Sequence, residues 1–132
     1  MGKEEPVQSD SKSFALIKEL LTPEVVEERE FLWQDIVAAM MEIVETPTLR
    51  AEELLVSLLE MEGRIRLAPE SDIPGVMPPE DTLKSIAIET LSKWTGRKYL
   101  KAFETLCDRA ESPGISTLAR IYIEKFRVEP RE

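Results

Sequence analysis

Apolar residues recur three, four and seven positions apart along most of this chain, and prolines or glycines separate the successive runs. This spacing matches the turn of an amphipathic helix, on which such residues share one face. One run, for example, places Leu83, Ala87, Leu91 and Trp94 on a common face. No stretch alternates apolar and polar residues over enough positions to indicate a sheet. The sequence therefore predicts an all-α fold.

The clearest helix-start signal is the sequence Thr-Pro-Glu at residues 22–24. Threonine suits the N-cap, proline the first helical position and an acid the first turn. We expect this helix to run from Pro23 to about Glu45. Its apolar residues form a wide stripe, which indicates packing on more than one side. The stripe consists of Val25, Val26, Leu32, Trp33, Ile36, Val37, Met40, Ile43 and Val44.

The positions of proline and glycine divide the chain into five to six predicted helices in one domain over residues 11–129. Residues 1–10 are polar and are expected to form a flexible arm. Residues 64–79 contain four prolines and one glycine without a helical period. They are expected to form a long loop, with a short extended piece at 64–67. A loop of this length in a small domain is a candidate functional element.

The C-terminal third has features of a repeated helix pair. Ala87 is followed four residues later by Leu91, a glycine turn comes at Gly96, and an aspartate-containing turn covers residues 107–113. A second small residue, Ala119, follows Ala87 by 32 positions, a period expected of helical-pair repeats. On these residues the stretch 80–127 resembles the HEAT-like repeats, of the short kind also found in phycobilisome-lyase-type proteins.

The resemblance implies a short right-handed stack of antiparallel helix pairs, and an irregular helical bundle is the alternative fold. Repeat scaffolds of this kind bind other proteins, so the resemblance implies a protein-binding or adaptor module. A lyase-type or chaperone-like accessory protein is one alternative function. A self-assembling structural protein, including a homodimer, is another, because an uncapped stack exposes apolar faces at its ends.

Residue types that common catalytic and metal sites need are scarce in this chain. It has no histidine, the commonest general base and transition-metal ligand. Its single cysteine, Cys107, excludes an intrachain disulfide and a multi-cysteine zinc site. Cys107 follows Phe103 on an apolar face, where we expect it to pack as an inert thiol. No glycine-rich phosphate motif occurs. We therefore expect a non-enzymatic protein without a cofactor or a metal.

The charge is unevenly divided between the two halves of the chain. Residues 1–62 carry a net charge of −10 and residues 63–132 a net charge of +1. An acidic chain repels phosphate, so no nucleic-acid partner is expected, whereas the acidic half could steer a basic partner protein. No apolar run approaches the roughly 18 residues that span a bilayer, and residues 1–10 lack the apolar stretch of a signal peptide. We therefore expect no membrane contact and a cytoplasmic location.

The predicted partner surface combines the tip of the long loop with three cations at the predicted start of the second helix after it. These cations are Arg97, Lys98 and Lys101. Positive charge at a helix start opposes the helix dipole, so these cations are not explained by helix stability. In the competing account, Ile73 and Val76 fold back and cap the core. The predicted partner-binding residues are Arg64, Arg66, Ile73, Val76, Met77, Arg97, Lys98 and Lys101.

Overall fold

A computed structural model of the chain describes residues 12–61, 64–71, 78–109 and 113–128. Within these residues it contains helices and no strand, which confirms the predicted all-α fold class for the described part of the chain. The predicted arm over residues 1–10 lies outside the described residues, and one domain over 11–129 stays a prediction. The helices are α1 (Lys12–Leu20), α2 (Pro23–Glu28), α3 (Trp33–Val44), α4 (Leu49–Leu59), α5 (Pro79–Thr95), α6 (Leu100–Arg109) and α7 (Pro113–Val128).

The described residues form seven helices rather than the predicted five to six, because the long helix expected from Pro23 to Glu45 is two helices. The backbone between α2 and α3 is extended, with φ −126° and ψ 142° at Arg29. Phe31 forms a parallel bridge with Leu67, so the break is held by residues more than 30 positions further along the chain. The prediction was wrong because tertiary pairing overrides local helix propensity here.

The described residues fall into two compact units, and the first comprises residues 12–54 and 64–71. In it α1 packs against α2 and α3. The start of α2 confirms the predicted helix-start signal, since Pro23 is the first helical residue and Thr22 the N-cap. The buried residues of α1, α2 and α3 are Phe14, Ile17, Leu20, Val26, Trp33, Ile36, Ala39, Met40 and Ile43.

The second unit comprises, among the described residues, 55–61, 78–109 and 113–128, and in it α7 packs against both α5 and α6. Helix α5 begins at Pro79 and ends before Gly96, as the sequence predicted. Gly96 has a positive φ of 64°, a conformation that a residue with a side chain rarely adopts, and its N–H donates to the Ser92 carbonyl at 2.9 Å. The small residues Ala87 and Ala119 are both completely buried.

Candidate functional site

The eight predicted partner-binding residues fall into three groups in the structure. Arg64 and Arg66 are exposed and belong to the first unit, whereas Arg97, Lys98 and Lys101 are exposed and belong to the second. The three apolar residues at the predicted loop tip, Ile73, Val76 and Met77, lie outside the described residues. The combination of the loop and the cations into one surface therefore stays a prediction.

Arg97 and Lys98 do not lie at a helix start, contrary to the prediction that was based on the helix dipole. Helix α6 begins at Leu100, and residues 96–99 form a turn in which the Leu100 N–H donates to the Arg97 carbonyl at 3.2 Å. Arg97 and Lys98 therefore precede the helix, and only Lys101 lies in its first turn. The ammonium of Lys98 lies 5.3 Å from the centroid of the Tyr99 ring, a distance at which a cation is attracted to an aromatic face.

The described part of the long loop, residues 64–71, is anchored to the break between α2 and α3. The Phe31 N–H donates to the Arg66 carbonyl at 2.8 Å, and the Ala68 N–H donates to the Phe31 carbonyl at 2.8 Å. The hydroxyl of Ser71 donates to the same Phe31 carbonyl at 3.1 Å and accepts from the Trp33 N–H at 3.1 Å. Ser71 thereby satisfies a first-turn N–H of α3, which has no side-chain cap from its own N-cap residue, Leu32.

The side chain of Arg66 is also engaged within this anchor. Its guanidinium donates to the Glu27 carbonyl in the last turn of α2 at 2.6 Å and lies 3.9 Å from the Glu30 carboxylate. Ile65 beside it is buried, with 7% of its surface exposed. Arg66 therefore stabilises the end of α2, a role that its sequence context did not reveal.

An exposed apolar strip on α3 is the surface feature that the sequence did not predict. Val37 is 38% exposed and Met41 58% exposed, and Ala38 beside them is also exposed. Residues four positions apart are neighbours on a helix, so Val37 and Met41 adjoin on the outward face. We define the α3 strip as Val37, Ala38 and Met41.

The position of the α3 strip follows from how α3 packs. Its buried residues, which include Ile36, Met40 and Ile43, occupy one face. The expectation that this helix is packed on more than one side, with Val37 in the buried stripe, is therefore wrong. At about 100° per residue, Met41 lies on the side of α3 away from the buried face. It is outside the apolar stripe that the sequence spacing predicted. An apolar residue outside the periodic stripe is the signal that could have identified this surface.

Acidic residues border the α3 strip. Asp35 and Glu42 are exposed on α3, Glu45 follows as its C-cap, and the helix contains no lysine or arginine. The Glu42 carboxylate accepts a hydrogen bond from the Ser13 hydroxyl on α1. At the N-terminal end of the strip, the Gln34 amide reaches the Glu70 carbonyl at 3.5 Å. The strip is thus an apolar surface in a negatively charged setting.

The environment of Cys107 differs from the inert core position that the sequence suggested. The thiol is half-buried, its sulfur lies 3.5 Å from the Ser116 hydroxyl, and Arg120 donates to it at 3.5 Å. The hydrogen bond with Ser116, and next that with Arg120, lower the pKa of the Cys107 thiol below its usual value. Arg120 donates to the sulfur and so favours the thiolate, and the pKa of the Cys107 thiol is lower than that of an ordinary cysteine.

Comparison with models of protein families, with curated proteins and with solved structures finds no match to this chain. Among the described residues, no group of three or more cysteine, aspartate or glutamate side chains is placed to hold a metal ion. No helix in the described ranges has the length and apolar character needed to cross a membrane.

Proposed function

We propose that this chain is a non-enzymatic protein-binding module and that the α3 strip is a surface on which it binds its partner. The observation that carries the proposal is the exposure of Val37 and Met41 side by side on one helix face. Isolated exposed apolar residues are ordinary on a protein surface, whereas contiguous apolar patches mark interaction sites. Covering Met41 removes apolar surface from water, which favours association.

One sequence observation supports the same function. The resemblance of residues 80–127 to HEAT-like repeats suggests a stack of helix pairs, and such stacks present extended binding surfaces. This part of the proposal rests on analogy with other repeat scaffolds. A cytoplasmic location belongs to the proposal as well.

Self-association is a second candidate function, and one observation favours it. Ile121 on α7 is 55% exposed, so the described residues include a further exposed apolar side chain outside α3. Copies that associate through apolar faces gain mass with concentration. Sedimentation over a hundredfold range of concentration separates this function from binding to a different protein.

Site-specific cross-linking tests the proposed function. A photoreactive phenylalanine analogue is placed at position 41 in the native host, and a second chain carries it at position 121 as a matched exposed control. Adducts are identified by mass spectrometry, and the purified partner is then titrated against the wild type, Met41→Ser and Ile121→Ser. Both serine variants change exposed side chains, so neither disturbs the core.

We expect an adduct specific to position 41 and a loss of roughly tenfold in affinity for Met41→Ser, since a large apolar side chain is removed from the contact. Ile121→Ser is expected to bind as the wild type does. Adducts that form equally at positions 41 and 121, or a purified partner whose affinity Met41→Ser leaves unchanged, would contradict the proposal.

A further inference from the structure

We propose, on the basis of the proposed function above, that the partner segment on the α3 strip is a basic amphipathic helix. Its apolar ridge lies along Val37 and Met41, and lysines or arginines on one flank of that ridge face the acids of α3. The surface is a single helix face rather than a deep pocket, so a second helix packed along it is the shape that fits.

The geometry of α3 places its acids on one side of the strip. At about 100° per residue, Glu45 lies about 40° from Met41 around the helix. Glu42 and Asp35 lie about 100–120° from Met41 in the same direction. Val37 lies about 40° from Met41 in the opposite direction. A partner helix that covers Val37 and Met41 therefore has Glu45 beside one flank. Glu42 and Asp35 lie further round α3 on the same side, where only long basic side chains on that flank approach them.

The spacing of the acids along α3 sets the spacing of the cations. Asp35 and Glu42 are seven residues apart, about 10.5 Å or two turns, and Glu45 is about one further turn along. A helix packed nearly parallel or antiparallel to α3 meets this row with cations at the same intervals. The expected partner segment thus has two basic residues two turns apart and a third one turn beyond.

The position of two of these acids in their helix gives an independent reason for a cationic partner. Glu42 lies in the last turn of α3 and Glu45 is its C-cap, and the last turn contains no basic residue. The carbonyl end of a helix carries partial negative charge, so acids there are unfavourable and the local potential is more negative than their charges alone produce. Cations of a partner would relieve this repulsion.

The same charges argue against two other classes of occupant. A phosphate backbone and an anionic membrane surface are both negatively charged and would be repelled by the acids along α3. A peptide cation is attracted to them. The area of one short helix face is small, so the complex is expected to be weak and transient.

Two synthetic peptides test the inference directly. Both are fluorescein-labelled helices of about 18 residues with the same leucine ridge, and the polar face carries lysines in one and glutamates in the other. Binding to the full chain is measured by fluorescence anisotropy at low and at high salt. The lysine peptide is expected to bind, and its affinity is expected to fall as salt screens the charges. The glutamate peptide is not expected to bind.

Matched variants separate the local acids from the overall charge. A triple variant that neutralises the row on α3 is expected to bind the lysine peptide roughly tenfold more weakly, as three exposed ion pairs would. A control triple variant with the same net charge neutralises exposed acids elsewhere and is expected to bind as the wild type does. The variants are Asp35→Asn/Glu42→Gln/Glu45→Gln and Glu24→Gln/Glu53→Gln/Glu60→Gln.

Each other outcome overturns part of the account. Equal losses in both triple variants, equal binding of both peptides, or no binding of the lysine peptide up to about 1 mM would overturn a basic helical partner. If both peptides bind equally and Met41→Ser lowers the affinity for both, the α3 strip remains supported as the binding surface. A basic partner is then ruled out. If the mass of the free chain doubles with concentration and Met41→Ser restores the monomer, the occupant is a second copy and this inference is wrong.

Discussion

The hydroxyl of Ser71 offers the sharpest test of how the break between α2 and α3 is held. Ser71→Ala removes the bond that its hydroxyl donates to the Phe31 carbonyl and the bond that it accepts from the Trp33 N–H. The Phe31 carbonyl keeps its bond from the Ala68 N–H, so it is not left without a partner. The Trp33 N–H loses its cap and, being at a helix start, has no carbonyl of its own helix to bond.

The expected cost follows from these two bonds. A net contribution of about 0.5–1.5 kcal/mol is typical of one hydrogen bond, and removal of a helix cap costs about 0.5–2 kcal/mol. Since Ser71 is half-buried, we expect Ser71→Ala to lower the free energy of unfolding by about 1–3 kcal/mol. Urea unfolding followed by tryptophan fluorescence measures this change.

Ser57→Ala on α4 is the matched control for the removal of a hydroxyl. Ser57 is exposed, so its replacement by alanine is expected to change stability by less than about 0.5 kcal/mol. If Ser71→Ala and Ser57→Ala change the free energy of unfolding equally, the Ser71 hydroxyl does not hold the break and the reasoning is refuted.

Four further substitutions test the second unit. Ala87→Leu is expected to cost about 1–3 kcal/mol in urea unfolding, because Ala87 is completely buried and a larger side chain overpacks its contact; a stabilised variant would count against a close contact. Ser92→Ala is expected to stabilise the chain by about 1 kcal/mol, because the Ser92 hydroxyl is the one buried side-chain oxygen or nitrogen without a hydrogen-bond partner among the described residues; a loss of stability would indicate a missed bond. Ser116→Ala and Arg120→Leu are each expected to raise the pKa of Cys107, so that alkylation by iodoacetamide needs a higher pH than in the wild type; an unchanged pH profile would contradict the hydrogen bonds. Because the folded chain has the lower thiol pKa, the stabilisation from Cys107 is present above the ordinary thiol pKa and is lost as the pH falls through the folded-state value.

Local signals predicted the ends of α5 well, whereas α6 begins at Leu100 rather than at the predicted Arg97. Pro79 begins α5 and Gly96 follows its last residue, because proline and glycine act through backbone geometry that does not depend on distant residues. The burial of Ala87 and Leu91 also follows from helical spacing alone. These features could be predicted because each depends on residues within one or two turns.

The break between α2 and α3 could not be predicted in this way. No proline or glycine occurs between Arg29 and Leu32, and the apolar spacing continues through them. The extended backbone there depends on hydrogen bonds to Arg66, Ala68 and Ser71. Such a long-range contact leaves no local mark, so helical periodicity predicted one helix where the chain forms two.

The α3 strip was not predicted from the sequence for a related reason. The predicted surface was inferred from loop composition and from cations at an expected helix start, but α6 begins at Leu100, after Arg97 and Lys98. Arg66 proved to be engaged with the end of α2. The exposed pair Val37 and Met41 became visible only when the packing of α3 showed which of its faces is buried.

An NMR titration of the isotopically labelled chain with the lysine peptide tests the central claim most directly, because it reports the location of binding as well as its strength. We expect backbone amide shifts concentrated in residues 34–45, with the same midpoint as the anisotropy titration. Met41→Ser should reduce these shifts, and the glutamate peptide should leave them absent. Shifts that are spread over the second unit, or absent from residues 34–45 while the peptide binds, would contradict the α3 strip as the binding surface.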